Sequence, residues 1–326
     1  MSLRIIKAGL FDSVQDTGRY GYQHLGINPT GAMDRYAAQL ANALLEQDLA
    51  APVIEMHFPS AQILFEQAAI ICITGAHFSP TINGKDISIN QPYLISANAV
   101  LKFTKPIEGA RAYLAVNNGL KVDKWLGSYS TNTKATAGGF NGRRLMKDDV
   151  IHFERQIDLP TSNDILFTLP WKQEIEKQEE VIKFIKGPEW DWLTDQSKEK
   201  FQNASFQITS ASDRMGYRLS GQPLGQAEAR QLISSVVTFG TVQLLPDGQL
   251  IVLMADHQTT GGYPRIANII SAHLPALAQT QPGAIVHFAE TSLHTAEEKA
   301  FLQQDLLYKI QNECKLRIQN WLDGKH

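Results

Sequence analysis

Leu250-Ile251-Val252-Leu253-Met254-Ala255 runs directly into Asp256-His257-Gln258-Thr259-Thr260-Gly261-Gly262-Tyr263-Pro264. The first six residues follow the turn Pro246-Asp247-Gly248. A short apolar, β-branched run behind a turn reads as a buried strand. The residues after it bring an acid, an imidazole, an amide, two hydroxyls, two adjacent glycines and a phenol to the end of that strand. Polar groups in this position are held rigidly, and Gly261-Gly262 lets backbone approach a ligand closely. An ordinary turn collects many of the same residue types.

Three further loops share this character. Ser210-Ala211-Ser212-Asp213-Arg214-Met215-Gly216-Tyr217-Arg218-Leu219 follows the strand-like run Phe206–Thr209. Val14-Gln15-Asp16-Thr17-Gly18-Arg19-Tyr20-Gly21 lies near the N-terminus, and Leu126-Gly127-Ser128-Tyr129-Ser130-Thr131 precedes Gly138-Gly139-Phe140-Asn141-Gly142-Arg143. Together the loops suggest a polar, anion-friendly cleft. Arg19, Arg143, Arg214 and Arg218 are candidate clamps for a carboxylate or phosphate. Asp16, Asp213 and Asp256 are candidate carboxylates, and His257 is a candidate general base because its ordinary pKa lies near neutrality. The competing readings are structural: a buried, hydrogen-bonded imidazole at His257, and an internal salt bridge fixing the Asp213-Arg214 loop. Asp213, Arg214, Asp256, His257, Gln258, Thr259 and Tyr263 are expected to converge in one cleft, because the strand ends of a barrel gather distant loops around one mouth.

Most of the chain reads as short strands: Ile63–Phe65, Ala69–Thr74, Thr81-Ile82, Tyr93–Ile95, Val100–Phe103, Arg111–Val116 and Val150–Phe153, with an Asn83-Gly84 hairpin turn. This pattern predicts a mainly β chain of barrels or sandwiches. One helix is predicted from Ala32 to about Leu45, with Thr30 as its cap and Asp34 in its first turn. A polar, charged junction between Glu154 and Glu180, with a short strand at Ile165-Leu166-Phe167, separates an N-terminal domain (1–165) from a C-terminal one (180–326). In the second half, Val181–Ile185, Gly240–Leu245 and Ile285–Phe288 read as strands, and a short helix is predicted around Trp190–Phe201. Ile266–Ala278 reads as a helix ended by Pro275. Thr295-Ala296-Glu297-Glu298 reads as a capping box opening a last helix, with an apolar stripe at Leu302, Leu306, Ile310, Cys314, Ile318 and Leu322.

The 326 residues suffice for two domains, and a 43% hydrophobic content supports a real core. A net charge of −3 argues against a general nucleic-acid binder. The absence of an apolar run of about 18 residues excludes a helical membrane span. An N-terminus entering strand-like sequence at once, with two distant cysteines, predicts a reducing, cytoplasmic setting. Cys72 reads as a small core residue, and the nine histidines show no metal-ligand spacing, so no metal is expected. No GxxxxGK[ST] loop, GxSxG elbow or HExxH is present. Met146-Lys147-Asp148 lacks the flanking methionine of a biotin-attachment lysine, so no covalent biotin is expected on this chain.

The loops resemble those of the 5-oxoprolinase C-type subunit family, also called KipA or allophanate hydrolase subunit 2, a biotin-dependent carboxyltransferase-like family. The resemblance rests on Gln15–Gly21, Gly31-Ala32-Met33-Asp34, Ile73–Ala76, Arg111–Val116, Gly127–Thr131, Asp213–Leu219, Asp256–Pro264 and Gln279 with Pro282-Gly283. It implies two tandem cyclophilin-like β-barrels and ATP-dependent opening of 5-oxo-L-proline to L-glutamate. It also implies a KipI-like B-type subunit and an A-type subunit as partners, with ATP bound in this chain or in a partner. Asp256, His257 and Asp213 are then expected to be catalytic. Arg214, Gln258, Thr259, Thr260, Gly261, Gly262, Tyr263, Gln15, Asp16, Arg19, Ser128, Ser130 and Arg143 are expected to bind substrate. The chain departs from the family pattern at Ser235-Val236-Val237, at His257 where arginine is common, at Asn117-Asn118-Gly119 and at Ala284. Two alternatives stay open: a carboxyltransferase acting on urea with carboxybiotin carried in trans, and a non-catalytic antagonist of a KipI-like kinase inhibitor.

Overall fold

The structure, a computed structural model, describes residues 2–157, 159, 164–165, 181–228 and 230–322. The chain divides into two compact units, one of Met1–Gly18, Asp34–Lys177 and Gln304–His326, the other of Arg19–Met33 and Gln178–Gln303. Both are discontinuous in sequence, where the reading above drew one boundary between 165 and 180. Most of the polar junction, including Leu166 and Phe167 of its short strand, lies outside the described residues.

The first unit holds β1 (Ser2–Lys7), β2 (Ser13–Gln15), α1 (Arg35–Leu44), β3 (Val53–Met56), β4 (Gln62–Phe65), β5 (Ala69–His77), β6 (Pro80–Ile82), β7 (Lys85–Asp86), β8 (Pro92–Ile95), β9 (Ala99–Phe103), β10 (Glu108–Val116), β11 (Val150–His152) and β12 (Asp164–Ile165). They form two six-stranded sheets, ordered β11-β1-β4-β9-β6-β7 and β12-β8-β5-β10-β3-β2. Leu3, Ile5, Ile63, Phe65 and Leu101 of one sheet share a core with Ile54, Ile71, Ile73 and Leu114 of the other. Asn83 and Gly84, both at positive φ (50° and 82°), make the two-residue turn that sets Ile82 opposite Lys85.

Helix α1 starts later than predicted. Asp34, not Thr30, is its N-cap: the carboxylate accepts the Ala37 N–H at 2.8 Å. The Tyr113 hydroxyl accepts the Asp34 N–H and donates to Glu55, each at 2.8 Å, and Thr74 Oγ1 donates to the Ala37 carbonyl. These bonds satisfy buried polar groups where the helix lies on its sheet.

The second unit holds β13 (Ile182–Lys186), α2 (Asp195–Asn203), β14 (Phe206–Ile208), β15 (Gly216–Ser220), β16 (Ser235–Val236), β17 (Thr241–Leu244), β18 (Leu250–Leu253), β19 (Thr260–Gly261), β20 (Arg265–Ile269), α3 (Leu274–Ala278), β21 (Ile285–Val286) and β22 (Phe288–Glu290). Eight of its strands make one sheet, β21-β14-β15-β18-β17-β20-β13-β22, and β16 pairs with β19 alone. The sheet wraps Phe184, Phe201, Phe206, Val242, Val252 and Phe288 into its core, and Met33 joins the same cluster. The fold is mainly β with few helices, as expected.

Ile266–Ala278 is not one helix. Residues 265–269 form β20, hydrogen-bonded to both β13 and β17, and only 274–278 are α-helical. Two neighbouring strands offer this β-branched segment a full ladder, which outweighs its helix-like spacing. Pro275 starts helix α3 rather than ending one; its missing N–H costs nothing in the first turn. The final helix, α4 (Leu293–Leu322), also starts earlier than read. Ser292 Oγ accepts the Thr295 N–H at 3.1 Å, the geometry of an N-cap. Of its expected stripe, Leu302 is exposed, Leu306 is half-buried beside buried Leu307, and Ile310, Cys314 and Ile318 are buried, while the side chain of Leu322 lies outside the described residues. A strict four-residue repeat drifts off a face that turns every 3.6 residues. Cys72 and Cys314 are buried free thiols, and burial raises both, Cys314 to about 12. Among the described residues no helix is long and apolar enough to cross a membrane.

Candidate functional site

Strand β15 begins at a tight turn. Asp213 Oδ1 accepts the N–H groups of Met215 (2.7 Å) and Gly216 (3.2 Å), which holds Asp213 exposed at the strand's mouth. Gly216 is close-packed there: a Cβ would stand 2.7 Å from Ile251 Cδ1 and displace that side chain. Between these residues Arg214 turns the other way. Its Nε and Nη2 bind the two Asp256 oxygens at 2.9 and 3.0 Å, and Nη2 also reaches the Gly31 carbonyl at 2.6 Å. The Asp256 N–H returns to the Arg214 carbonyl at 2.7 Å, and Asn28 Nδ2 donates to the Asp256 carbonyl at 3.0 Å.

The salt bridge of this loop is therefore Arg214–Asp256, not Asp213–Arg214. A bidentate, mostly buried pair of this kind fixes the end of β18 against β15 and secures residues 28–31. Arg19 contributes to the same segment, with its N–H on the Pro29 carbonyl (2.6 Å) and Nη1 on Thr30 Oγ1 (3.0 Å). His257 is almost fully buried, with Nδ1 against the Gln258 carbonyl.

Of the residues expected to converge, Asp213, Gln258 and Tyr263 line one cleft of about 610 Å³ in the second unit. Arg218, Met215, Gln243, Leu245, Asp247 and Ile251 are also among its lining residues. Arg214, Asp256 and His257 are not among the lining residues. Thr259 gives its carbonyl to the Val237 N–H, and Thr260 and Gly261 form β19 opposite β16. Gly262 lies beside the Leu232 carbonyl and Ser234. Gly261 is close-packed: a Cβ would come within 2.6 Å of Gln243 Nε2.

Gln243 was missed by the sequence reading. It sits mid-strand in Thr241–Leu244 with 1% of its surface exposed. Nε2 donates to the Tyr263 carbonyl at 3.2 Å, which fixes the amide so that Oε1 is the acceptor left over. The pair Glu189–Arg265 was also missed. The Arg265 guanidinium holds both Glu189 oxygens, at 2.9 and 2.8 Å. Burial pushes the Glu189 carboxyl up, but the hydrogen bonds and charge of Arg265 hold it below the ordinary range.

Gln15, Asp16, Ser128, Ser130 and Arg143 belong to the first unit, and all but Gln15 are fully engaged there. The Asp16 carboxylate accepts from the Gly18 N–H (2.8 Å), the Ser128 hydroxyl (2.7 Å), the Tyr129 N–H (2.6 Å) and the Ser130 hydroxyl. This carboxylate ties loop 128–130 to the end of β2. Gln15 Nε2 donates to Ser13, while its buried Oε1 has no hydrogen-bond partner among the described residues. Arg143 grips Asp149 through two bonds of 2.7 and 2.8 Å, which raises the arginine's pKa. Asp12 was missed as well. It is buried and accepts the His57 and Ala61 N–H groups, and burial outweighs those bonds to push its carboxyl to about 7. No group of histidine, cysteine and acidic side chains suited to a metal occurs among the described residues.

A barrel-like sheet with a polar cleft on the face opposite its core, where Arg218, Ile251 and Gln243 stand in register across three strands, defines a small-molecule site carried on a β scaffold. The chain belongs to the carboxyltransferase domain family, whose subdomain A and B model matches residues 25–290. It is 35% identical to the C-type subunit of 5-oxoprolinase from Escherichia coli, over 95% of this chain and 99% of that protein. It is also 35% identical to the same subunit from Haemophilus influenzae, over 87% and 89%. Among solved structures it is similar to the urea carboxylase of Kluyveromyces lactis, with a TM-score of 0.88 and 26% identity over 95% of this chain. The chain spans only 29% of that urea carboxylase and 20% of a urea amidolyase it also matches.

Proposed function

We propose that this chain is the C-type subunit of an ATP-dependent 5-oxoprolinase, which opens 5-oxo-L-proline to L-glutamate in concert with a KipI-like B-type subunit and an A-type subunit. The observation that carries this reading is the end-to-end match to a protein named as the C component of 5-oxoprolinase. In the net reaction the ring C–N bond breaks, the carbonyl carbon takes a hydroxyl and the nitrogen takes a proton from one water. A second water and ATP become ADP and phosphate. A lactam is a stable amide, and coupling to ATP makes its opening favourable.

The described residues of this chain fit a triphosphate poorly. Arg19, Arg143 and Arg214 are committed to Thr30, Asp149 and Asp256, which leaves Arg218 as the single loop arginine free for an anion among the described residues, too little for three phosphates, and no phosphate-cradling GxxxxGK[ST] loop is present. We therefore assign ATP to a partner protein and place no step through it here. What this chain offers is a cleft in which Gln258 and Gln243 can orient an amide while Asp213 stands at the mouth. The test is reconstitution of this chain with its B-type and A-type partners, 5-oxoproline and ATP. Glutamate release that requires this chain supports the reading, and no release from the complete assembly refutes it.

A second reading is favoured by the fold match to urea carboxylase. In it the chain transfers a carboxyl group from carboxybiotin, carried by another protein, to urea or a similar amide. Biotin-dependent, urea-stimulated bicarbonate exchange in the assembled system would support that reading, and its absence would remove it.

A further inference from the structure

Arg218 differs from the other arginines of the polar loops. It is exposed on β15, lines the cleft, and its guanidinium makes no hydrogen bond or ion pair with any described residue. It is also the one arginine among the cleft's lining residues. An uncommitted guanidinium beside an apolar wall is an anion site, because its planar fork matches a carboxylate.

The polar atoms around it carry directional information. Gln243 is almost completely buried and its amide orientation is locked by the Tyr263 carbonyl, so Oε1 presents an acceptor with no donor among the described residues. An acceptor in that state is complementary to an N–H. The Gln258 side chain, half-buried on the same wall, has no hydrogen-bond partner among the described residues and can donate to a carbonyl. Met215, Leu245 and Ile251 provide apolar contact for methylene groups.

We propose that this cleft takes its substrate as a lactam that bears a carboxylate, a reading that rests on the function proposed above. Arg218 binds the carboxylate, Gln243 Oε1 accepts the ring N–H and Gln258 donates to the ring carbonyl. Arg218 is then the residue that selects 5-oxoproline over urea or an uncharged lactam, which leave the guanidinium idle. Two acidic groups, Asp213 and Asp247, line the same cleft. Asp213 Oδ1 is held by two turn N–H groups and Asp247 Oδ1 by the Gln249 N–H at 3.0 Å, which offsets part of their charge. Ring opening releases an amine that takes up a proton near neutral pH. A carboxylate next to an arginine suits the resulting α-amino acid.

The experiment uses the complete enzyme, this chain with its partner proteins, and compares wild type with Arg218→Gln and Arg218→Lys. Arg218→Gln is expected to raise the KM for 5-oxoproline by about ten- to a hundredfold, the factor for losing a charge-assisted pair of bonds. The inhibition constant of 2-pyrrolidinone, the same ring without the carboxylate, should stay within about twofold of wild type. Arg218→Lys should recover part of the lost affinity, since it keeps the charge without the fork. An unchanged KM in Arg218→Gln overturns the proposal, and so does equal weakening of 2-pyrrolidinone, which would mark a structural defect. Either result appears against an active wild-type assembly and leaves the oxoprolinase reading standing; a wild-type assembly that releases no glutamate refutes that reading itself.

Discussion

Replacing Arg214 by alanine should damage the fold of the second unit rather than its ligand binding. The side chains of Arg214 and Asp256 are 9% and 15% exposed, and the guanidinium's contacts include two to Asp256 and one to the Gly31 carbonyl, none of these longer than about 3 Å. Truncation leaves a carboxylate and a carbonyl without these donors in a poorly hydrated place. Breaking a buried pair from one side typically costs about 3–5 kcal/mol, and the partial exposure of Asp256 places the expected loss near the lower end. For a domain of this size each kcal/mol moves the midpoint by about 2–4 °C, so the melting temperature should fall by roughly 10 °C. Replacing both partners with apolar residues, Arg214→Met with Asp256→Leu, should recover a substantial part of the loss, because no charge is then stranded. Thermal and urea denaturation of the four chains in the double-mutant cycle measures this directly. An Arg214→Ala chain that melts within about 1 °C of wild type yet fails to bind ligand would refute the structural assignment.

Three further outcomes are expected. Burial raises the Asp12 carboxyl from 3.8 to about 7, so the folded state holds that proton more tightly than the unfolded one. Its contribution is fully present below about pH 4 and is lost as pH rises to about 7; a carbon-13 titration that finds Asp12 ionising near 4 would contradict this. Gly261→Ala should push the Gln243 amide aside, since the new Cβ lies 2.6 Å from Nε2, weakening 5-oxoproline binding several-fold with little change in melting temperature; unaltered affinity would count against a role for Gln243. Tyr113→Phe removes the hydroxyl that joins the Asp34 N–H to Glu55 and should cost about 1–3 kcal/mol in urea unfolding, whereas a neutral effect would show that water replaces it.

The strands of the first unit were readable because short apolar runs bounded by turns such as Asn83-Gly84 leave few alternatives. Arg265–Ile269 was not readable. Ile266, Ile269 and Ile270 fit a helix face as well as a strand, and only the neighbours β13 and β17 decide between them. The polar loops were legible as loops, yet the partners inside them were not. Arg214 and Asp256 lie 42 residues apart in sequence, and nothing in either segment announces which arginine will be consumed by a salt bridge and which will remain available. Arg214 and Arg218 are four residues apart, with opposite fates set by the turn at Asp213. Gln243 was invisible because a glutamine inside the short run Thr241–Leu244 looks like a solvent-facing strand position; its importance comes from the Tyr263 carbonyl and Gly261 packed against it.

The interleaving of the two units along the chain bears on biosynthesis. Residues 19–33 leave the ribosome early, but the groups that secure them, Arg214 and Asp256, are made 183 and 228 residues after their partners Gly31 and Asn28. The first unit in turn waits for residues 304–326, whose Leu307, Ile310, Cys314 and Ile318 are buried. Neither unit can close around its own nascent segment and finish before the next emerges, as successive domains ordinarily do. Until synthesis is almost complete, the first unit lacks residues 304–326, while residues 19–33 wait for the rest of the second unit to follow. A cut in the junction would yield two fragments that are each missing a piece held by the other, so such halves would have to be produced together to complement one another.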